Sequence, residues 1–490
     1  MNYRMILSLL GMVLLLLAAL LLLPCAVALV YGEGDFFALL QTVILCLVLG
    51  CLMSLLYPRK ERRLMHAREG FVMVSLAWVL ISLVGALPFY INGAIPVYLD
   101  AVFETVSGFT TTGASILTNV EALPHGLLFW RSLTHWIGGM GVLVFMLAVV
   151  PLSGESIYLL RAESPGPSVS KMVPKMRTSA AITYGLYIAL TALLFLMYRL
   201  GNLCGWGEIS WFDSFCLSFG TAGTGGFAVR CDGLASYSVY EQAITTVFMI
   251  LFGVNFSIYF FLLCRKYRLA WQNSELKCYI GVILTAITLI TLNLVMTGGY
   301  FSTVGEAIHH ASFSVGSIIT TTGFGTVDFS QWPEFSRTIL VLLMVVGACA
   351  GSTGGGMKVS RVLILFKSLR AEVRRMLHPH AVEIMTMDKK RVEKNAIQGT
   401  AAFLTAYFAL ILLSIALISL DNMGTETTVT AVFATLNNIG PGTSAVIGPL
   451  GSFSVFSPLS KIVLIFDMLC GRLEIFPVLL LLRPTTWRKN

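Results

Sequence analysis

The amino-acid sequence is organised as long apolar runs separated by short polar segments. A helix that crosses a bilayer needs about 20 predominantly apolar residues. Ten such runs are present, at about 6–31, 36–57, 71–92, 134–152, 179–200, 241–264, 279–298, 337–350 with a glycine-rich continuation, 399–420 and 458–482. The pattern therefore predicts an all-α membrane protein. Because ten is an even number of spans, both termini should lie on the same side of the membrane.

The first run has some features of a secretory signal peptide. Arg4 precedes it, and Ala26-Val27-Ala28 resembles a cleavage box. The apolar stretch is longer than an ordinary signal-peptide core, so we interpret it as a retained transmembrane helix.

Composition supports a membrane location. Of the 490 residues, 56% are hydrophobic and only 12% are charged, whereas soluble domains carry about 25% charged residues. Too few polar side chains remain to cover a water-exposed surface. Membrane lipid is therefore the expected surrounding of most of the chain.

Basic residues are sorted into alternate loops. Of the 33 lysines and arginines, 26 lie near the two termini and in residues 58–69, 153–178, 265–278 and 361–394. The positive-inside rule places these loops, and both termini, in the cytoplasm. The opposite side has five basic residues against fourteen acidic ones, and such a surface raises the local cation concentration. The net charge of +8 is thus a topology signal, and no nucleic-acid partner is expected.

Four segments between spans on the predicted outer side share a pattern centred on a glycine. In three of them a threonine directly precedes that glycine, over Phe103–Gly113, Phe215–Gly225 and Phe313–Gly323. The fourth ends at Gly440 and departs from the pattern, since Thr430 and Ile439 stand where Phe and Thr are expected. The glycines are 112, 98 and 117 residues apart, which indicates four repeats over residues 70–482 with the first two spans outside them.

This repeat suits a pore for a dehydrated cation. Backbone carbonyls can replace the water of the ion, and non-helical backbone at membrane depth survives where it is buried or lines a wet cavity. Glycine reaches the required positive φ without a Cβ penalty, and a half-helix can direct its negative C-terminus at the ion. We therefore predict two accessory helices followed by four helix–pore loop–helix pseudo-repeats around a central pore. The candidate filter residues are Thr111, Thr112, Gly113, Gly223, Thr224, Gly225, Thr321, Thr322, Gly323, Asn438, Ile439 and Gly440.

Other interpretations explain the sequence less well than a pore does. Glycine also serves close helix packing in membranes, but four matching segments are hard to obtain by chance. A secondary transporter would show two inverted halves rather than four like-oriented units. An enzyme would need convergent nucleophile, base or metal ligands, and the sequence offers none, nor any cofactor site. Cys204 and Cys231 both fall on the outer side and either form a disulfide or stay free, and His309-His310 either packs or ligates.

The eighth of the ten apolar runs is interrupted by a glycine-rich segment, Gly347–Lys358. Each glycine in a helix costs about 1 kcal/mol relative to alanine, so this segment should unwind at membrane depth. It is either a movable obstruction below the filter or a hinge between two packed half-helices. The candidate gate residues are Gly347, Gly351, Gly354, Gly355, Gly356, Lys358 and Arg472.

Two basic side chains fall inside predicted membrane segments. Arg472 either lines the ion path or pairs with Asp467 or Glu474, because a charge in the membrane usually faces the bundle interior. Lys358 either belongs to the gate or extends its ammonium group to the cytoplasmic interface. The basic loop 361–394 is either a solvated, lipid-facing surface or a docking site for a regulator. The chain itself carries no nucleotide-binding signature.

At these motifs the chain resembles the Trk/Ktr/HKT superfamily of potassium transporters, and within it the bacterial TrkH/TrkG branch, over essentially its whole length. The extra N-terminal pair of spans points to that branch. The resemblance is carried by Thr111-Thr112-Gly113-Ala114-Ser115, Gly223-Thr224-Gly225-Gly226-Phe227, Thr321-Thr322-Gly323-Phe324-Gly325, Asn437-Asn438-Ile439-Gly440-Pro441-Gly442, Arg131 with His135-Trp136-Ile137-Gly138-Gly139-Met140-Gly141, and Gly253-Val254-Asn255-Phe256.

The resemblance implies potassium as the substrate bound at the filter residues, because all four filter positions are glycine. Only repeat three keeps the Thr-x-Gly-aromatic-Gly pattern of a dedicated potassium channel. We therefore expect weaker discrimination between potassium and other cations than in such a channel, and we expect rubidium to pass. It also implies an intramembrane gating loop, a pore-lining role for Arg472, a homodimer, a cytosolic nucleotide-binding RCK subunit of TrkA type, and a bacterial inner-membrane location. The expected units are 1–69 (accessory hairpin), 70–178, 179–278, 279–396 and 397–490 (repeats one to four).

Overall fold

The structure is a computed structural model that describes residues 2–55, 67–141, 176–378, 385–388 and 390–487. The chain is mainly helical in these ranges. A short antiparallel hairpin pairs β1 (Thr386–Met387) with β2 (Lys390–Arg391).

The first two helices form an antiparallel pair, α1 (Tyr3–Tyr31) and α2 (Phe36–Leu55). They approach closely at Gly11, where an added Cβ would lie 2.8 Å from the carbonyl oxygen of Gly50. Small residues at such crossings are typical of helix pairs in membranes. The connecting turn is fixed to the rest of the protein, since the buried Asp35 carboxylate accepts a hydrogen bond of 3.0 Å from the backbone N–H of Leu127.

The four repeats follow in chain order, each with a short half-helix as its second or third element. Repeat one contains α3 (Ala67–Gly85), α4 (Leu87–Asn92), the half-helix α5 (Tyr98–Phe109) and α6 (His125–Gly139). Repeat two contains α7 (Met176–Leu203), the half-helix α8 (Trp211–Gly223), α9 (Val239–Phe252), α10 (Phe256–Leu263) and α11 (Tyr267–Trp271). Repeat three contains α12 (Ser274–Thr297), the half-helix α13 (Val304–Ile319), α14 (Glu334–Val346) and α15 (Val359–Leu377). Repeat four contains α16 (Lys394–Ile418), the half-helix α17 (Thr425–Leu436), α18 (Pro458–Arg472) and α19 (Phe476–Leu482).

Six helices of the described residues are long and apolar enough to cross a membrane, and the number is seven if the bent pair α9 and α10 is counted as one span. The sequence predicted ten. The difference arises largely because the second long helix of a repeat is broken. The run 134–152 lies mostly beyond Gly141, outside the described residues.

A local backbone feature marks each of these breaks. The sequence indicated only the glycine-rich interruption between α14 and α15. In repeat two, α9 and α10 meet at 91° around Gly253–Asn255, where the Asn255 side chain accepts from the Ser257 N–H and caps the new helix. In repeat four, Glu474 and Ile475 have φ of 59° and 63°, a left-handed conformation that ends α18 and starts α19.

The half-helices of repeats two and three begin at residues whose side-chain oxygens cap them. Ser210 accepts from the Asp213 N–H at the start of α8, and Thr303 accepts from the Glu306 N–H at the start of α13. Such caps satisfy N–H groups that a helix leaves unpaired. Because the half-helices end directly before the glycine segments, their negative ends are next to those segments.

Candidate ion-conduction site

The four glycine segments share one backbone conformation. Each begins with a residue in the left-handed region, has one residue in between, and continues with a glycine at positive φ. The left-handed residues are Thr111, Thr224, Thr321 and Asn438, with φ of 54°, 52°, 59° and 54°. The glycines are Gly113, Gly226, Gly323 and Gly440, with φ of 81°, 81°, 87° and 98°.

These glycines form a closed ring with carbonyl oxygens of the neighbouring repeat. A Cβ added to Gly113 would collide with the carbonyl oxygen of Gly225, and one added to Gly440 would lie 2.7 Å from that of Thr112. The same relation joins Gly226 to Thr322 and Gly323 to Ile439. Repeats one, two, three and four therefore contact one another in order and return to the start. A side chain at any of these glycines would require the neighbouring backbone to shift.

Repeat two corrects the sequence alignment by one residue. The alignment on Thr-Gly placed Gly225 opposite Gly113, but Gly226 has the matching φ and the matching contact. The hydrogen-bond register agrees, because the N–H groups of Thr112 and Gly225 each bond to the carbonyl five residues earlier, 2.9 Å away in both cases. Gly223 is then the last residue of α8. The Gly225-Gly226 pair allowed two registers, and the sequence alone favoured the wrong one.

His135 explains why repeat two has Gly225 where the other repeats have Thr or Ile. A Cβ at Gly225 would collide with the imidazole ring, which fills that space. The ring Nδ1 lies 2.7 Å from the Gly108 carbonyl oxygen, and Nε2 accepts from the Phe227 N–H at 3.2 Å. The residue is fully buried, and the sequence assigned it no structural role.

The threonines of the candidate filter are held by hydrogen bonds within the protein. The hydroxyl of Thr112 lies 2.8 Å from that of Thr110 and accepts from Asn438 Nδ2 at 2.9 Å. In the same way, the hydroxyl of Thr322 lies 2.7 Å from that of Thr320. The Thr224 hydroxyl donates to the Gly223 carbonyl at 2.6 Å. These contacts occupy the threonine hydroxyls and orient the glycine segments.

A cavity of about 350 Å³ opens above the ring, with all four glycines in its lining. Its wall is braced by a buried ion pair that the sequence did not predict. Arg131 Nε lies 2.6 Å from Glu104 Oε1, and Arg131 also donates to the Ala228 carbonyl at 2.9 Å. Its guanidinium lies 3.5 Å from the centre of the Phe227 ring. An acidic residue inside an apolar half-helix was the signal for this pair.

The glycine-rich loop between α14 and α15 lies directly against the other end of the ring. The Gly355 N–H donates to the Thr321 hydroxyl at 2.5 Å. A Cβ at Gly354 would lie 2.8 Å from the Thr320 carbonyl oxygen, and one at Gly355 would collide with that of Asn437. The loop is also tied to the bend of repeat two, because the Phe256 N–H donates to the Gly351 carbonyl at 3.0 Å.

Arg472 joins this loop to repeat one. Its guanidinium donates to the carbonyl oxygens of Thr353 at 3.0 Å and Gly139 at 2.8 Å, and it also contacts that of Gly138. The last two carbonyls belong to the C-terminal end of α6, where the helix dipole favours a cation. Of the two acidic residues considered as partners of Arg472, Glu474 lies 2.5 Å from the Arg361 guanidinium, and Asp467 accepts from the Ser414 hydroxyl at 2.8 Å.

Lys358 is buried in the loop rather than extended to an interface. Its side chain is 1% exposed, and its ammonium group donates to the Gly354 carbonyl oxygen. Two positive groups, Lys358 and Arg472, thus lie at the loop beneath the glycine ring. Gly347 and Gly356 pack against each other at its base, with φ of 70° and 76°.

Two further alternatives are resolved within the described residues. Cys204 and Cys231 are free thiols. His309 and His310 make polar packing contacts, with Gln242 at 2.7 Å and Thr326 at 3.0 Å, and no group of metal ligands was found in the described part of the chain.

Fold and site together define a multi-pass membrane protein with an accessory helix pair and four pore-loop repeats around a ring of glycines. Residues 36–489 match the TrkH family, described as cation transport protein. The chain is 35% identical to the Trk system potassium uptake protein TrkH of Escherichia coli K12, over 100% of both chains. It is 30% identical to TrkG of the same strain, over 95% of this chain and 94% of the relative.

The fold comparison agrees with the sequence comparison. The crystal structure of the potassium transporter TrkH from Vibrio parahaemolyticus aligns with a TM-score of 0.87 and 31% identity, covering 100% of both chains. The chain belongs to the TrkH family of Trk system potassium uptake transporters. The predictions of family, helical membrane fold and a transport rather than an enzymatic role are confirmed.

Proposed function

We propose that this protein carries potassium across the bacterial cytoplasmic membrane through the ring formed by Gly113, Gly226, Gly323 and Gly440. The observation that carries the proposal is the cyclic contact of each glycine with a carbonyl of the next repeat. Four like-oriented backbone segments present oxygens to one axis and carry no net charge. Such a ring suits a large monovalent cation that has lost its water.

Charge distribution supports a direction of entry. The acidic outer face attracts cations to the cavity above the ring, and the four half-helix C-termini add partial negative charge around it. The basic loops and both termini lie in the cytoplasm in this arrangement. Rubidium passes as well, and the ring discriminates less between potassium and other cations than a channel whose four repeats are identical.

The loop Gly347–Lys358 acts as the gate. It contacts the ring residue Thr321 and is held by Arg472, so it obstructs the path directly below the filter. Its glycines permit the backbone changes that opening requires. Buried positive charge on Lys358 and Arg472 repels a cation until the loop and the two side chains move aside.

Regulation comes from outside this chain. The basic segment 361–394 is a docking surface for a cytosolic nucleotide-binding subunit of the RCK type, resembling TrkA, and the membrane subunit works as a homodimer. The relatives are named as members of the Trk system, which supports a multi-component assembly. Units 1–69, 70–178, 179–278, 279–396 and 397–490 are the accessory hairpin and the four repeats of this transporter.

Uptake of rubidium into proteoliposomes tests the proposal. Gly113→Ser adds a side chain where the Gly225 carbonyl lies, so potassium preference over sodium should fall at least severalfold. Gly185→Ser is the matched control, because nothing lies within 4 Å of a Cβ at Gly185. Equal flux and equal ion preference in wild type and Gly113→Ser would refute the filter assignment.

A further inference from the structure

Glu275 closes the base of the gate loop with one carboxylate oxygen. The residue lies in the first turn of α12 and is 4% exposed. Its Oε1 accepts from the N–H of Ala350 at 2.7 Å and from the N–H of Ser360 at 3.1 Å. Ala350 lies near the start of the segment Gly347–Lys358 and Ser360 lies just after its end, so a single side chain holds these two parts of the backbone together.

Backbone hydrogen bonds complete the closure at the same place. The Val359 N–H donates to the Ala348 carbonyl at 3.0 Å, and the Met357 N–H donates to that of Val345 at 3.3 Å. Glu275, on α12, adds a side chain from another helix to the backbone contacts at the base of the loop. The position of α12 therefore determines where the base of the loop lies.

The cytoplasmic hairpin contacts the same end of α12. Asp388, in a left-handed turn at φ 52° after β1, accepts from the Ser274 N–H at 2.7 Å through Oδ1. Its Oδ2 lies 3.5 Å from Asn273 Nδ2. Lys367 on α15 donates to the Thr386 carbonyl at 2.7 Å, which attaches the hairpin to the helix that leaves the gate loop.

We propose that Glu275 is a positioning residue of the gate and that Asp388 couples it to the cytoplasmic hairpin. Ser274 and Glu275 are adjacent, so a displacement of the hairpin that pulls on Ser274 moves the carboxylate that holds Ala350 and Ser360. A regulator that contacts the segment 361–394 thereby changes the closure of the loop without touching the membrane. This inference rests on the gating role proposed above for Gly347–Lys358.

Rubidium flux through the full chain in proteoliposomes tests the coupling. Glu275→Ala removes the shared acceptor, and basal flux should rise roughly tenfold as the closed loop loses hydrogen bonds to a charged group. Glu275→Gln keeps an oxygen acceptor and should return flux most of the way toward wild type. Potassium preference over sodium should stay unchanged in both, because the filter is untouched.

Asp388→Ala provides a variant on the exposed surface that leaves the membrane core intact. It should raise flux in the same direction, and the double variant with Glu275→Ala should exceed neither single variant by much, since both act on one connection. Gly281→Ser is the control, because Gly281 lies on the same helix, α12, and nothing lies within 4 Å of a Cβ added there. Elution as one monodisperse peak in detergent establishes that each variant is folded.

Three results separate the possibilities. Increased flux for Glu275→Ala and Asp388→Ala, with partial return in Glu275→Gln, supports the inference. If flux is unchanged in folded Asp388→Ala and Glu275→Ala while Arg472→Ala raises flux, the inference is overturned. The proposed gating role of Gly347–Lys358 then still stands. Unchanged flux in all three variants overturns both the gate and the coupling.

Discussion

The Nε2 atom of His135 accepts a hydrogen bond from the backbone N–H of Phe227, 3.2 Å away, and so joins repeat one to the strand of repeat two. Because Nε2 accepts, the other ring nitrogen carries the proton and donates to the Gly108 carbonyl at 2.7 Å. The neutral ring thereby bridges a half-helix and a filter strand.

This bridge predicts a paired effect of His135 and Gly225. Gly225→Ala should abolish uptake, since its Cβ would occupy the space of the imidazole ring. His135→Ala should weaken uptake and thermal stability, because the Phe227 N–H loses its partner at a cost of about 1–3 kcal/mol. The double variant should recover part of the uptake lost in Gly225→Ala. No recovery in a folded double variant would mean that the ring does not limit the side chain at this position.

The corrected register predicts that Gly226 is as sensitive as Gly113. Gly226→Ser requires a side chain at φ 81° that would collide with the Thr322 carbonyl, so potassium preference should fall as in Gly113→Ser. Gly281→Ser is the control, because a Cβ at Gly281 meets nothing within 4 Å. Competition between potassium and sodium during rubidium uptake measures the change. A selective Gly226→Ser protein would contradict the register.

The Glu104–Arg131 pair predicts a large loss of stability when one partner is removed. Glu104 and Arg131 are 1% and 3% exposed, and Glu104→Ala leaves the guanidinium buried without its carboxylate. The expected loss is about 3–5 kcal/mol in the free energy of unfolding. Fluorescence-detected thermal unfolding in detergent measures it. Glu372→Ala, which removes an exposed carboxylate, should shift the transition far less.

The contacts of Arg472 predict that it restrains the closed gate. Arg472→Ala removes donors to Thr353 and Gly139 and a positive charge below the ring, so basal flux should rise. Arg472→Lys keeps the charge with a different geometry and should lie between wild type and alanine. Flux in Arg472→Ala at or below wild type, in protein of normal stability, would contradict a restraining role.

The sequence predicted the architecture well because hydrophobic length, loop charge and the repeated glycine segments are local signals. The breaks at Gly253–Asn255 and at Glu474 were missed, since both depend on contacts with other repeats. The same reason explains the register in repeat two. The ring of His135, 90 residues away in the chain, fills the space beside Gly225 and is one of the contacts that distinguish Gly225 from Gly226.

For the candidate gate, too, the sequence predicted the local features and missed the contacts between distant segments. The glycine content of Gly347–Lys358 predicted that α14 would end there, because this is a local property of the chain. The clasp by Glu275 and the link through Asp388 join segments more than 70 residues apart, and no local pattern marks them.

The central claim is that carbonyl oxygens of all four repeats hold one ion on a common axis. Crystals grown with rubidium in place of potassium test it through the anomalous scattering of rubidium. The account predicts a peak on the axis, within coordination reach of the carbonyl oxygens of Thr112, Gly225, Thr322 and Ile439. Anomalous peaks found only elsewhere in the protein, with this axis empty, would contradict it.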